Sequence, residues 1–300
     1  MPSLRRSIIA SILFLVHAAM AAAPDAGVPA LAVRAPNGAT NLLIGTLHVP
    51  YEGLRQPAPS ILDGAKHLVI ESATTQGPQP AADVEVAPEV MAGKAARAAW
   101  AEGLSDGQVA GLRRNLDCHP PMSANLVDLL LVLKSPRAAA AFAYARCGQP
   151  GQDSRDDLLA AAARIRGVPT VTLETQVAVE RQRKAVPDRI YARQLQHAFT
   201  ADTMRAFEQV VAALNRGDYA SVLDLAVGHD MPPSDALLFR RLMVSERNRA
   251  WMPPLRRYLD EGGAVVLVGA AHLPGPDGLL SLLQAAGYAV EPVVVPEDPR

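Results

Sequence analysis

Short apolar runs alternate with Ala- and Leu-rich stretches along this chain, and the two periods separate strands from helices. Leu31 to Arg34 and Asn41 to Ile44 are strand-like runs joined by Ala35-Pro36-Asn37-Gly38-Ala39, and Asn-Gly between such runs signals a hairpin. Pro57 to Ala65 predicts a short helix, and His67 to Ile70 a buried strand that delivers Glu71 at its end. From Gly77 to Pro88, Pro, Ala and acidic residues lack periodicity and read as a loop or lid. About Val90 to Arg164 carries apolar residues at helical spacing, broken at Cys118-His119-Pro120-Pro121 and Gly148-Gln149-Pro150-Gly151, which predicts a helical insertion over about 90–165. A helix over Asp153 to Arg166 stops near Gly167, and Val168 to Leu173 forms a strand ending at Glu174. Helical spacing returns from about Val186 to Leu259, with breaks at Gly217, Gly228 and Pro232-Pro233, and Gly262-Gly263 closes this segment of about 186–262. Ala264 to Val268 is continuous and β-branched, as in a strand covered on both faces. A loop over Gly269 to Gly275, a helix over Asp277 to Ala286 and a strand over Tyr288 to Val295 complete the chain. This order of elements implies an α/β fold class, with a central mixed, mostly parallel sheet and a large helical insertion.

Composition narrows the partners. With 300 residues, 49% hydrophobic and 20% charged, the chain can bury a large core. A formal net charge of −1 and no Lys/Arg-dense mature stretch leave no electrostatic footprint for nucleic acid or an acidic membrane face. Aromatic residues at 4% give little material for stacking platforms, so a peptide or small-molecule substrate fits better.

The first 22 residues read as a signal peptide: Arg5 and Arg6 precede an apolar run from Ile8 to Val16, and Ala19-Met20-Ala21 supplies a small-x-small cleavage pattern, with cleavage after Ala21 or Ala22. The remaining domain, 23–300, is then periplasmic or secreted, without a permanent membrane span; a retained N-terminal anchor is the alternative. Export permits a disulfide between Cys118 and Cys147, although two unpaired buried thiols are equally compatible with the spacing.

The sharpest chemical signal is a duplicated Gly-x-x-His. Gly45-Thr46-Leu47-His48 follows one strand and Gly269-Ala270-Ala271-His272 another. In an open α/β sheet, ligands bind beyond the carboxyl ends of strands, and a glycine there permits a tight turn that aims a side chain into the crevice. Glu71 leaves the end of a third strand. If these strands are neighbours, two imidazoles and a carboxylate share one rim, a set that can hold a divalent metal and leave positions open for water. The same residues also serve a metal-free route, with one His as general base and the other polarising a carbonyl. Each His taken alone is as compatible with satisfying backbone groups at a strand end; the duplication favours a site. Glu174 is either a further carboxylate or a helix N-terminal residue. Arg247 and Asn248 are candidate cleft residues, although spacing alone favours a solvated helix face. His67, His119, His197 and His229 read as structural. HExxH, P-loop and GxGxxG patterns do not occur, which sets aside zincins, NTPases and Rossmann oxidoreductases; Gly103-Leu104-Ser105-Asp106-Gly107 matches GxSxG but lies in the helical insertion rather than after a strand, which argues against an α/β-hydrolase serine enzyme.

These residues together resemble the TraB/GumN family, which includes the Tiki and pheromone-shutdown proteins. The carriers are Leu43-Ile44-Gly45-Thr46-Leu47-His48, Glu71, the Asp153 to Glu174 segment, Glu246-Arg247-Asn248 with Met252, and Val268-Gly269-Ala270-Ala271-His272-Leu273-Pro274-Gly275. The resemblance implies an α/β core of the erythromycin-esterase and haem-binding ChaN type and, from Tiki relatives, a metal-dependent peptidase using Mn or Co. It implies His48, Glu71 and His272 as metal or catalytic residues, with Arg247 and Asn248 in the same cleft. The stretch Val177 to Glu180 departs from the family's more acidic Leu-Glu-Thr-x-Glu-Glu-Gln pattern.

The leading expectation is an exported metal-dependent hydrolase, with Mn, Co or Zn as the divalent ion, in which activated water attacks an amide carbonyl. The rivals are a metal-free His-dependent esterase or amidase, and a non-catalytic protein that binds a peptide or haem.

Overall fold

The computed structural model describes residues 27–72, 96–117, 125–143, 153–198, 200–227 and 231–298. Its six strands are β1 (Val28–Arg34), β2 (Thr40–Thr46), β3 (His67–Ile70), β4 (Thr170–Thr172), β5 (Ala264–Gly269) and β6 (Ala289–Val295). They lie in one sheet in the order β4-β3-β5-β2-β1-β6. The pairs β4/β3, β3/β5 and β5/β2 are parallel, whereas β2/β1 and β1/β6 are antiparallel. The sheet is therefore mixed and mostly parallel, in agreement with the fold class read from the sequence. The Asn37-Gly38 hairpin forms between β1 and β2, with Gly38 at φ 88° as the turn requires.

Alternation along the strands builds a core on each face. Val266 and Val268 of β5, Leu43 of β2 and Val69 of β3 join one cluster; Val265 and Leu267, Ile44, Leu68 and Ile70 join the other. All six residues of β5 are buried, as the continuous apolar run requires of a strand covered on both sides.

The helices are α1 (Ala99–Glu102), α2 (Asp106–Asp117), α3 (Asn125–Val132), α4 (Arg137–Ala143), α5 (Arg155–Arg166), α6 (Gln176–Ala185), α7 (Asp188–His197), α8 (Ala201–Arg216), α9 (Tyr219–Ala226), α10 (Pro233–Arg240), α11 (Glu246–Glu261) and α12 (Leu279–Ala285). Residues of α8, α9, α11 and α12 cover the first sheet face, and Leu159, Ala162 and Ala163 of α5 the second. A third cluster, built from α1 to α4 with Ile190, Tyr191 and Leu195 of α7, packs the helical part on itself. One turn of π-helix, Arg241–Ser245, joins α10 to α11. Such turns shift the register of the helix beyond them and recur at functional sites; here Arg247 and Asn248 come directly after.

Two elements reach only about half the length the sequence predicts. Over Pro57 to Ala65 only a 3-10 turn forms, Pro59–Leu62, because Ala58 precedes a proline and takes ψ 138°, outside the helical region. The strand expected over Val168 to Leu173 contracts to Thr170–Thr172, since Pro169 has no N–H to give to the ladder. His197 is the last residue of α7. The expected signal peptide, the Gly77 to Pro88 loop, Cys118, His119, Cys147, Gly148 to Gly151, Gly228 and His229 lie outside the described residues. Among the described residues no helix is long and apolar enough to cross a membrane.

Candidate active site

The three strands that carry His48, Glu71 and His272 are consecutive in the sheet. β5 lies between β3 and β2, all three parallel, with Gly45 paired to Val268 and Thr46 to Gly269. Their carboxyl ends therefore deliver all three side chains to one edge. The two glycines work differently from the sequence expectation of a tight turn at a strand exit. Both lie within strands, and neither has a positive φ. Space is what they provide: a Cβ on Gly45 would stand 2.6 Å from the Tyr219 ring, and one on Gly269 would stand 2.7 Å from His48 Nε2 and 3.2 Å from Glu71 Oε1.

Glu71 is the hub. Its Oε1 accepts the Gly269 backbone N–H at 2.6 Å and its Oε2 accepts Arg247 Nη2 at 2.8 Å. His48 Nε2 lies 3.4 Å and His272 Nε2 3.9 Å from the same Oε1. Burial opposes the charge on Glu71, but His48 and Arg247 outweigh it and hold the carboxyl well below the usual carboxylate range.

His272 is buried, and its tautomer follows from Asn248. Asn248 Nδ2 donates to the carbonyls of His272 at 3.0 Å and Asp277 at 2.8 Å, which fixes the amide so that Oδ1 faces His272 Nδ1 at 2.7 Å. That nitrogen must carry the hydrogen, and Nε2 keeps its lone pair. Arg247 Nη1 lies 3.2 Å from Nε2 and donates to it. Burial first, then Arg247 and His48, outweigh Glu71 and push the His272 pKa down to about 3, so the ring is neutral.

Arg247 has no idle donor. Nε bonds both Glu174 oxygens at 3.2 and 3.3 Å, Nη2 bonds Glu174 at 2.5 Å as well as Glu71, and Nη1 reaches the Met243 carbonyl at 3.3 Å as well as His272. The guanidinium also lies 4.7 Å over Trp251, whose ring stands 4.4 Å from that of His272. Its pKa rises because the attraction of Glu71 and Glu174 overcomes burial. Arg247 is thus a buried tie between two carboxylates, and Glu174 belongs to the site as the counter-ion that shares it.

His48 is half open to the cleft. Its Nδ1 faces two acceptors, Asp156 Oδ2 at 3.3 Å and Thr46 Oγ1 at 3.4 Å, while Thr46 Oγ1 donates to Asp156 Oδ1 at 3.2 Å. Burial of the inner side of the ring opposes its protonation, but Glu71 and Asp156 prevail and raise its pKa well above the ordinary value. Neighbouring Arg155 is fully buried; Nη1 donates to the Gly45 carbonyl at 2.7 Å and Nη2 to the Arg55 carbonyl at 2.7 Å. Burial brings its pKa down to about 10.

Sequence reasoning missed Asp156, Thr46 and Trp251. Asp156 sits in the first turn of α5 behind the Ser154 cap, where an acid usually needs no explanation beyond the helix dipole; an Arg and two Asp in one capped turn facing the sheet was the available signal. Of the other histidines, His67 pairs with Glu261 at 3.3 Å away from this edge, whereas His197 lines the cleft.

The edge opens into a cavity of about 410 Å³ whose wall includes His48, His272 and Arg247. Among the described residues, no three His, Cys, Asp or Glu side chains form a ready coordination shell. The sequence model of the TraB/PrgY/gumN family matches residues 31–292. No curated protein and no solved structure matches the chain.

Proposed function

The chain belongs to the TraB/PrgY/gumN family, and from that membership we propose that it is an exported metal-dependent hydrolase, of peptidase type, working at His48, Glu71 and His272. One observation carries the reading. Nε2 of His48 and Nε2 of His272 lie 3.4 and 3.9 Å from Oε1 of Glu71, which brings two imidazole nitrogens and a carboxylate oxygen, atoms able to donate electron pairs to one cation, to the same edge.

The donor set suits a divalent ion such as Mn, Co or Zn. The far nitrogen of each ring is tied down, His48 by Asp156 and His272 by Asn248, the outer support that ligating imidazoles need. The space beside the backbone of Gly269, which a Cβ would fill, lies against His48 Nε2 and Glu71 Oε1. A bound divalent ion would lower the pKa of its water and polarise an amide carbonyl. The protein's own part is to keep Glu71 ionised, to hold both Nδ1 hydrogens away from the cleft, and to cancel the Glu174 charge with Arg247. For His272 to serve, Arg247 Nη1 must release its Nε2.

That last contact favours a second reading. With Arg247 holding His272 and Glu71 in place, His48 can serve a metal-free esterase or amidase: Glu71 and Asp156 favour its protonated form, so it gives a proton to the leaving group and acts as base on water only after that proton has left.

Elemental analysis of the protein, purified without chelator and reloaded with Mn, Co or Zn, tests the two. Near-stoichiometric metal in wild type and little in a folded His48→Ala/His272→Ala variant, with chelator-sensitive peptide cleavage, is the expected result. Equal or absent metal in both, with cleavage that survives chelation, would replace it with the metal-free reading. Export rests on Arg5, Arg6 and the Ile8 to Val16 run, and fractionation of cells expressing the full chain checks it.

A further inference from the structure

Most of the cavity wall has nothing to do with holding a metal or a proton. Besides His48, Arg247 and His272 it includes the polar Arg193, Gln194, His197, Asp202 and Thr203, but the greater part is apolar, with Leu47, Val49, Phe207, Val222, Met243 and Val244 contributed by the chain after β2, by α8 and α9, and by the π turn. Arg247, though in the wall, has every N–H engaged within the protein, so next to His272 the wall offers an entering group no free guanidinium donor. A volume of about 410 Å³ lies in the range, about 300–1,000 Å³, that encloses a small ligand. It is too small for a folded protein segment. Resting on the hydrolase reading above, we propose that this cavity is the acyl or side-chain pocket, and that the substrate is a short amide or ester with one bulky apolar group beside the bond attacked.

The pocket is wired to the chemistry through its wall. Met243 and Val244 line it and belong to the π turn Arg241–Ser245, and the Met243 carbonyl accepts Arg247 Nη1, the same group that bonds His272 Nε2. An apolar group filling the cavity packs against the turn that sets the guanidinium between Glu71 and His272. Binding energy of a remote group is then expressed at the reacting atoms, and substrates that fill the pocket gain in kcat as well as in KM.

The test uses N-acyl glycinamides of increasing chain length, bound to the full protein and read by displacement of an apolar fluorophore, with the matching N-acyl anilides for turnover. Affinity should rise about fourfold per added CH₂ until the pocket is full. Ala206→Trp, in the wall, should abolish the rise; Met243→Ala should extend it to longer chains, and serves alone if Ala206→Trp does not fold. Flat affinity across the series, or a rise that both variants leave unchanged, would overturn the proposal. Chain-length-dependent binding with no cleavage of any anilide would uphold the pocket and remove the hydrolase reading.

Discussion

Asn248 and His272 are joined twice: the Asn248 side chain accepts from the His272 ring through Oδ1 at 2.7 Å and donates to the His272 carbonyl through Nδ2 at 3.0 Å. One amide thus fixes both the backbone and the tautomer of the histidine. Asn248→Leu leaves the ring N–H and two carbonyls without partners in a fully buried position, at about 1–3 kcal/mol for each group not reached by water. Denaturant unfolding measures the loss. In wild type, long-range nitrogen correlation spectra of the imidazole should show hydrogen on Nδ1 and none on Nε2.

Removing Arg247 should be costly because two buried carboxylates then face each other. Arg247→Met is expected to lose about 3–5 kcal/mol of stability, the range for breaking one side of a buried ion pair. Adding Glu174→Gln should return part of that loss, since one of the opposed charges is gone. Equal midpoints for the single and double variants would contradict the shared-cation account.

Asp156→Asn should leave the fold standing while weakening the site. The change preserves shape and a hydrogen-bonding group beside His48 but removes the charge that holds Nδ1–H. Metal retention or hydrolysis should fall about 10–100-fold, as for other supports of ligating histidines. Asp157→Asn, one position along, is the control.

The two motif glycines should fail in different ways. Gly269→Ala drives a methyl against His48 Nε2, an atom at the cleft, so it should abolish function in a protein that still folds. Gly45→Ala meets the Tyr219 ring, Ala270 and Leu273, all in the core, and should destabilise by about 1–3 kcal/mol through overpacking. Thermal unfolding beside an activity or metal-binding measurement separates the two.

Alkaline pH should weaken the helical part through Tyr191. Its ring is buried, its hydroxyl donates to the Arg183 carbonyl at 2.9 Å, and burial, partly offset by Arg183, pushes its pKa up to about 12. The folded chain holds this proton more tightly than the unfolded chain, so the contribution is complete below pH about 10 and is lost as pH rises toward about 12. The loss amounts to about 2–3 kcal/mol at about 1.4 kcal/mol per pKa unit. Tyr191→Phe should unfold with a shallower dependence on pH over that window.

Much of the sheet was legible because its signals are local. The Asn37-Gly38 turn and the β-branched run of β5 each carry their own geometry, and they became β1/β2 and the buried centre of the sheet. Strand order is not local: that β3 and β2 flank β5 follows from pairings more than 190 residues apart in sequence, such as Leu43 with Val266 and Val69 with Val266. The duplicated Gly-x-x-His drew attention to His48 and His272 because a repeated spacing survives without knowledge of the fold. Asp156 escaped because a carboxylate in a first helical turn looks the same whether it faces solvent or a histidine. The charged run Glu246-Arg247-Asn248-Arg249 misled for a related reason: spacing suggests a solvated face, yet Asn248 is fully buried and Arg249 is exposed and paired with Asp277.

The two outermost strands on one side of the sheet give the molecule a mechanical polarity. β1 begins where β6 ends, with Val28 opposite Val295, and the antiparallel ladder runs from there to Arg34 opposite Ala289. A force drawing these two ends apart loads the rungs one after another, as in unzipping, rather than all together as in shear. The first event under tension is therefore the peeling of β6 from β1, while β2, β5 and β3 with the cleft at their tips remain closed. A tether attached at Val28 and Val295 would load this seam, with the bonds from Pro296 and Asp298 to Ala58 and Gln56, before the strands that carry the chemistry.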